Sequence, residues 1–142
     1  VIPPIPSHLT LEIVTPDRAI AHEQVDEVEI PAENGYLGIL PGHTPLVAAL
    51  RVGELWYRRG QEKTYLSVAF GFVEVQPDRV TILAQVAERA DEIDLVRAEA
   101  ALRRAEAELS KPSPDLDLER ARLALLKALI RVQVATKSGK RV

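Results

Sequence analysis

The chain contains no cysteine. That removes a disulfide framework, a thiolate metal site and thiol chemistry together, and it suits a cytosolic compartment. Only three histidines occur, His8, His22 and His43, too few and too scattered for a metal cluster. No apolar run approaches the roughly 20 residues that span a bilayer. The opening residues VIPPIPSHLT lack the basic start and apolar core of a secretory signal, so no such leader is expected. Positive charge is also short: 18 basic against 21 acidic residues leave a net charge of −3, against the basic footprint of a nucleic-acid binder. What remains, 142 residues with 46% hydrophobic and 27% charged content, is the composition of a globular protein of one average domain or two small ones.

The charge is unevenly divided. Residues 1–90 hold 12 acidic and 7 basic side chains, and residues 91–142 hold 9 acidic and 11 basic ones. From Leu116 onward only Asp117 and Glu119 oppose seven Lys or Arg. Such asymmetry marks an interaction tail.

The pattern of the chain changes near residue 90. Before it, Leu9, Leu11 and Ile13 alternate with Thr10, Glu12 and Val14, the mark of a half-buried strand. Further short strands are expected over residues 25–30, 47–50, 54–58, 64–68, 72–75 and 80–84. Turn signals such as Thr15-Pro16-Asp17, Asn34-Gly35, Pro41-Gly42, Arg59-Gly60 and Gln76-Pro77-Asp78 separate them. This spacing indicates an antiparallel sandwich or barrel, and no stretch is long enough for a helical crossover. After residue 90, Leu95, Ala98, Leu102, Ala105 and Leu109 form a helical stripe. Ser110-Lys111-Pro112-Ser113-Pro114 ends it, and Leu118, Ala121, Leu125, Ala128, Val132 and Ala135 form a second. Asp94 and Asp117, or Ser113, are the expected N-caps. Two stripes with a short connection make an antiparallel hairpin with an alanine-rich, thin seam. Leu123, Leu126, Leu129 and Ile130 lie off that seam and must meet the sandwich or a partner. The ending SGKRV is expected to fray.

Catalytic constellations are missing. There is no phosphate loop, so Gly35, Gly38 and Gly42 read as turn glycines, and there is no nucleophile elbow, zincin helix or calcium loop. His43 is a lone loop histidine, structural or interfacial, and Glu27 with Glu29 share a solvated strand face. One basic constellation stands out. Lys127 and Arg131 each fall within about 20° of the helical azimuth of Arg120, and Arg97 and Arg104 share a face one heptad apart. Packed antiparallel, these faces would leave a rim of cations with few acids nearby, suited to phosphates or acidic protein segments; a merely solvated face is the alternative.

Two stretches carry a family likeness. LGILPGHTPLV (residues 37–47) and FGFVEVQPDRVTILAQVAERADEID (residues 70–94), with the opening strand and helical tail, resemble the epsilon subunit of bacterial F-type rotary ATP synthases along nearly the whole chain. The resemblance implies a sandwich of about ten antiparallel strands over residues 1–90 that grips the gamma subunit and touches the c-ring. It implies a two-helix regulatory domain over residues 91–142. It also implies a non-catalytic rotor subunit of an ATP-synthesising, proton-translocating complex, peripheral on the cytoplasmic face of the bacterial plasma membrane and a monomer when isolated. The ring contact would involve Glu33, Tyr36, Gly42 and His43, with Tyr36 standing where relatives often carry a carboxylate. The basic second helix, through Arg120, Arg122, Lys127 and Arg131, would reach an acidic loop of the beta subunit in the alpha–beta head and restrain hydrolysis. Ile93-Asp94-Leu95-Val96-Arg97-Ala98 matches the I/L-D-x-x-R-A motif of epsilon subunits that bind ATP as a regulatory ligand. That likeness implies an ATP site of Glu88, Ile93, Asp94, Arg97, Ala98, Arg104, Lys127 and Arg131, with Lys127 replacing a family arginine and losing its bidentate fork. Two other classes compete: a factor that inserts a helical hairpin into a polymerase channel, whose tip would need an acidic pair absent from residues 110–115, and a plain β-sandwich interaction module with a static accessory hairpin.

Overall fold

The computed structural model describes residues 2–111 and 113–137. Eight strands come first: β1 (Leu9–Val14), β2 (Ala19–Val25), β3 (Glu27–Ala32), β4 (Gly35–Ile39), β5 (Leu46–Leu50), β6 (Gly53–Arg59), β7 (Glu62–Gln76) and β8 (Arg79–Arg89). A single 3-10 turn, Ala90–Glu92, leads into α1 (Leu95–Ser110) and α2 (Leu118–Ala135). The strands order as β2-β1-β8-β7-β5-β3-β4, and β6 pairs with both β3 and β7. A sandwich followed by a helical hairpin is therefore the architecture.

The structure adds two strands that the reading above does not contain, β2 and β4, and four further differences have local causes. The strand expected over residues 25–30 is β3, which starts only at Glu27 because the chain turns at Asp26, and Val25 closes β2. There the Asp26 carboxylate accepts the Gly60 N–H at 2.7 Å and pairs with His8 at 3.1 Å. Residues 64–68 and 72–75 belong to one 15-residue strand, β7, whose first half pairs with β6 and whose second half pairs with β5. One long strand thus serves two neighbours, and the sandwich has eight strands where the family likeness implied about ten. Gly38 is no turn residue: it sits inside β4 opposite Glu29. Finally, not every pair is antiparallel, since β1 runs parallel to β8 with Leu11 opposite Val80 and Ile13 opposite Ile82.

The bend in β7 is built from two consecutive residues at positive φ, Phe70 (φ 60°) and Gly71 (φ 130°). At Gly71 a Cβ would lie 1.9 Å from the Leu83 carbonyl oxygen of β8, so this position admits glycine alone. Phe70, a bulky residue in the left-handed region, is a strained position held by its surroundings.

The core lies wholly within the strands. Leu9, Leu11, Ile13, Val28, Ile30, Ile39, Leu55, Leu66 and Ile82 are fully buried, each worth about 1.5–3 kcal/mol on burial. The hairpin is held by smaller side chains. Ala98, Ala105, Ala121 and Ala128 are buried along its seam, while Leu95 and Leu118, at the first position of each helix, are 38% and 45% exposed. Asp94 and Asp117 cap the helices, accepting the N–H of Arg97 at 3.2 Å and of Arg120 at 3.1 Å. Pro112 of the helix stop and the SGKRV ending lie outside the described residues.

Candidate functional site

The hairpin meets the sandwich through α2, which packs on β6, β7 and the 3-10 turn. Ala90, Ile93, Ala98, Val134 and Ala135 make a small buried cluster there, with Tyr65, Ile130 and Val132 packed around it. Val134 lies off the 3-4 seam of α2, buried in this cluster with Ala98 of α1 and with Ala90 and Ile93 at the joint. Ile130 meets the sandwich, whereas Leu126 and Leu129 stay exposed.

Polar clamps flank this cluster. Arg131 grips Glu88 with both arms of its guanidinium, Nε to Oε1 at 2.8 Å and Nη2 to Oε2 at 3.1 Å. Two residues beyond, Gln133 donates to Glu54 Oε1 at 3.2 Å, and Lys137 Nζ reaches both Glu54 oxygens at 2.7 and 2.8 Å. Glu54 is the more enclosed acid, its side chain only 12% exposed against 27% for Glu88. Each pair is partly solvated, so each sits near the upper end of the ~0–1 kcal/mol that such pairs contribute. Lys127, one turn before Arg131, places its ammonium 5.5 Å from the centre of the Phe70 ring. The strained bend of β7 thus presents an aromatic face to α2.

The rim of cations expected from helical spacing therefore has one acid, Glu88, set directly into it. Arg131 is paired and Lys127 is stacked, because Glu88 and Phe70, distant in sequence, stand opposite them. Arg120 and Arg122 are exposed, as are Arg97 and Arg104 on α1; none of these four makes an ion pair among the described residues. Of the residues grouped by the nucleotide motif, the structure joins Glu88 to Arg131, buries Ile93 with Ala98, and spends the Asp94 side chain on capping α1. Glu33 and Tyr36 lie at one end of β4, with Arg51 over the Tyr36 ring at 5.1 Å. Gly42 and His43 lie beyond its other end, where Gly42 N–H donates to Pro77 O at 2.7 Å and the His43 ring bonds Thr44 O at 2.7 Å.

The joint between sandwich and hairpin is pinned by Glu92, which accepts from Arg18 and from the Arg89 N–H. Burial pushes the Glu92 carboxyl up, but these hydrogen bonds outweigh it and hold the group below its ordinary value of 4.5. A depressed folded value means that its stabilisation is complete above about pH 4.5 and is lost as pH falls through the folded value. Urea unfolding at pH 7 and below pH 4 is expected to show this acid loss in the wild type and a smaller one in Glu92→Gln.

One apolar stripe has no partner among the described residues. Ala49, Phe72, Leu83 and Val14 follow one another across β5, β7, β8 and β1. Phe72 is 62% exposed and Leu83 54%, with Val47 and Val86 close by in sequence and also exposed. Exposed apolar patches of this kind are interaction surfaces. No group of three or more potential metal ligands occurs among the described residues, and no described helix is long and apolar enough to cross a membrane.

Comparison with known proteins gives a uniform result. A family described as ATP synthase, Delta/Epsilon chain, beta-sandwich domain matches residues 8–90, and one described as ATP synthase, Delta/Epsilon chain, long alpha-helix domain matches residues 91–136. The chain is 48% identical over 133 residues to ATP synthase epsilon chain 2 of Syntrophotalea carbinolica, covering 93% of this chain and 96% of that one. It is 47% identical to the ATP synthase epsilon chain of Solibacter usitatus, covering 94% and 99%. Among solved structures, a chain of the Euglena gracilis mitochondrial ATP synthase, an assembly of OSCP, F1 and c-ring, superposes with a TM-score of 0.81 at 26% identity, covering 94% of this chain and 84% of that one. With both halves matched and near-full-length relatives at this identity, the chain belongs to the ATP synthase epsilon-chain family.

Proposed function

We propose that this chain is the central-stalk subunit that couples the catalytic head of an F-type ATP synthase to its c-ring, and that its hairpin is a mobile brake on ATP hydrolysis. As an epsilon chain it is a non-catalytic subunit. The observation that carries the reading is the way the hairpin is attached. Its buried contacts with the sandwich are mostly Ala, Val and Ile, and its polar contacts are two clamps, a partly solvated one at Glu88 and a more enclosed one at Glu54. Such an interface is weak enough for a few kcal/mol of competing contacts to replace it. The sandwich, by contrast, has its own large-residue core and is suited to stay on the rotor.

The exposed Phe72 and Leu83 stripe is the face offered to the gamma subunit, and the two ends of β4, with Glu33 and Tyr36 at one and Gly42 and His43 at the other, are the edges offered to the c-ring. A solved relative sits in an assembly with F1 and a c-ring, and relatives of similar length are bacterial, which supports a peripheral position on the cytoplasmic face of the plasma membrane. Released from the sandwich, α2 would carry Arg120, Arg122, Lys127 and Arg131 to acidic surface of the alpha and beta subunits, where complementary charge gives specificity.

ATP is proposed as the ligand that favours the docked hairpin, through Glu88, Ile93, Asp94, Arg97, Ala98, Arg104, Lys127 and Arg131. Arg97 and Arg104 are exposed cations without ion-pair partners among the described residues, and Arg131 beside Glu88 is held in a fork geometry that suits phosphate as well as carboxylate. The test is calorimetric titration of the isolated full chain with ATP. Arg97→Ala and Arg131→Ala are each expected to weaken binding about tenfold or more, the loss of one hydrogen bond to a charged group. Wild-type affinity in both variants overturns the site, and a static accessory hairpin becomes the better reading.

A further inference from the structure

The two carboxylates that receive α2 stand in one row of the sheet. Glu54 of β6 lies opposite Ser67 of β7, and Ser67 lies opposite Glu88 of β8. Residues directly opposite share a face, so both acids leave the same side, about 10 Å apart at the backbone, which is two strand spacings. The cations that reach them, Arg131 and Lys137, are six residues apart, about 9 Å along a helical chain. The spacing of acids on the sheet therefore matches the spacing of cations on the hairpin.

The two ends of this row are not equivalent. The Glu88 clamp draws on Arg131, which the proposed nucleotide site also uses, and a guanidinium fork turned toward phosphate gives up part of its grip on a carboxylate. Glu54, Gln133 and Lys137 are outside that site. Glu54 is the more enclosed acid and holds the Lys137 ammonium with both oxygens, while the same ammonium lies 4.8 Å from the centre of the Tyr65 ring. This clamp closes the end of α2 at which Val134 and Ala135 are buried, whereas Leu118 and Leu126, nearer its start, are exposed. The hairpin is anchored at one end. We propose that Glu54 is the positioning residue of the docked hairpin: through Lys137 and Gln133 it fixes where α2 sits and sets the docked share with or without nucleotide. This inference rests on the mobile hairpin proposed above. With ATP on Arg131, the Glu54 clamp is the polar tie that remains.

The experiment uses the full chain without nucleotide. Trp56 is the only tryptophan and stands two residues from Glu54 on β6. With an acceptor dye on Ala124→Cys, its fluorescence lifetime has a short component for the docked hairpin and a longer one for the released hairpin. Glu54→Ala is expected to raise the released-to-docked ratio about fivefold. Lys137→Ala, which leaves every sandwich residue in place, should raise it equally, and the double variant should rise no further than either single one. Glu62→Ala, at an exposed acid of β7, should leave the ratio unchanged. An unchanged ratio in Glu54→Ala or Lys137→Ala, effects that multiply in the double variant, or an equal rise in Glu62→Ala overturns the proposal. A released share that rises in Arg131→Ala but in neither clamp variant overturns this inference alone. If no variant, Arg131→Ala included, shows a released component, the mobile hairpin itself fails and this inference with it.

Discussion

Deleting residues 111–142 is expected to raise ATP hydrolysis by a reconstituted catalytic head severalfold, with the sandwich still bound. The deletion removes α2 and with it the basic side chains Arg120, Arg122, Lys127 and Arg131 that the braking state needs. It leaves α1 without a partner for Ala98 and Ala105, and a lone 16-residue helix is marginal in water, so far-UV circular dichroism should lose the signal of both helices. The sandwich keeps every large residue of its core, because none of them lies beyond residue 90. Glu54 and Glu88 lose their partners but are partly solvated, so their exposure costs little. Unchanged hydrolysis in a complex shown to retain the truncated chain would make α2 a structural brace only.

The largest effect on stability is expected at Gly71. An added methyl there meets the Leu83 carbonyl oxygen at 1.9 Å and the Ala84 Cα at 3.0 Å, on a backbone at φ 130° that L-residues rarely adopt. Backbone, unlike a side chain, cannot step aside without parting β7 from β8. Gly71→Ala should therefore cost about 4 kcal/mol or more, a large share of the ~5–15 kcal/mol that holds a domain folded, and lower the melting temperature by roughly 15 °C. Gly60 gives the control. It too has positive φ, at 63°, but nothing lies within 4 Å of an added Cβ, and Asn tolerates that region. Gly60→Asn should melt within a few degrees of the wild type in the same calorimetric scan. Equal losses at both positions would mean that backbone conformation, and not the close approach of β8, governs the bend.

Much of the fold was legible because it rests on local periodicity. The alternation through Leu9, Leu11 and Ile13 marks a strand whose inward residues are fully buried, and the alanines of both helical stripes lie in the seam where their 3-4 spacing put them. Asp94 and Asp117 were readable as caps from their positions alone. What was not legible depends on contacts between distant residues. Nothing in the sequence around Val25 announces that Asp26 will bind Gly60 and divide β2 from β3. The burial of Val134 comes from the joint around Ala90 and Ile93, which α2 meets only after folding. The clamp from Lys137 to Glu54 spans 83 residues, and no spacing rule reaches that far. Arg131 shows the same limit in reverse: its azimuth placed it correctly on a face with Lys127 and Arg120, but only the fold brings Glu88 to that face and turns a free cation into a pair. The family motif had grouped Glu88 with Arg131, although residue spacing alone offered no reason to do so.

The central claim is that the hairpin exchanges between a docked and a released state and that ATP favours the docked one. A chain without cysteine permits a direct test, since two introduced cysteines carry the only spin labels. With Asp78→Cys in the β7–β8 turn and Ala124→Cys on the exposed side of α2, electron–electron distance measurements in the assembled complex report the separation of hairpin and sandwich. The account requires one short separation at saturating ATP, a second and longer one when nucleotide is removed, and a larger share of the longer one in Arg131→Ala at any ATP level. A single separation, unchanged by nucleotide and by Arg131→Ala, would contradict it.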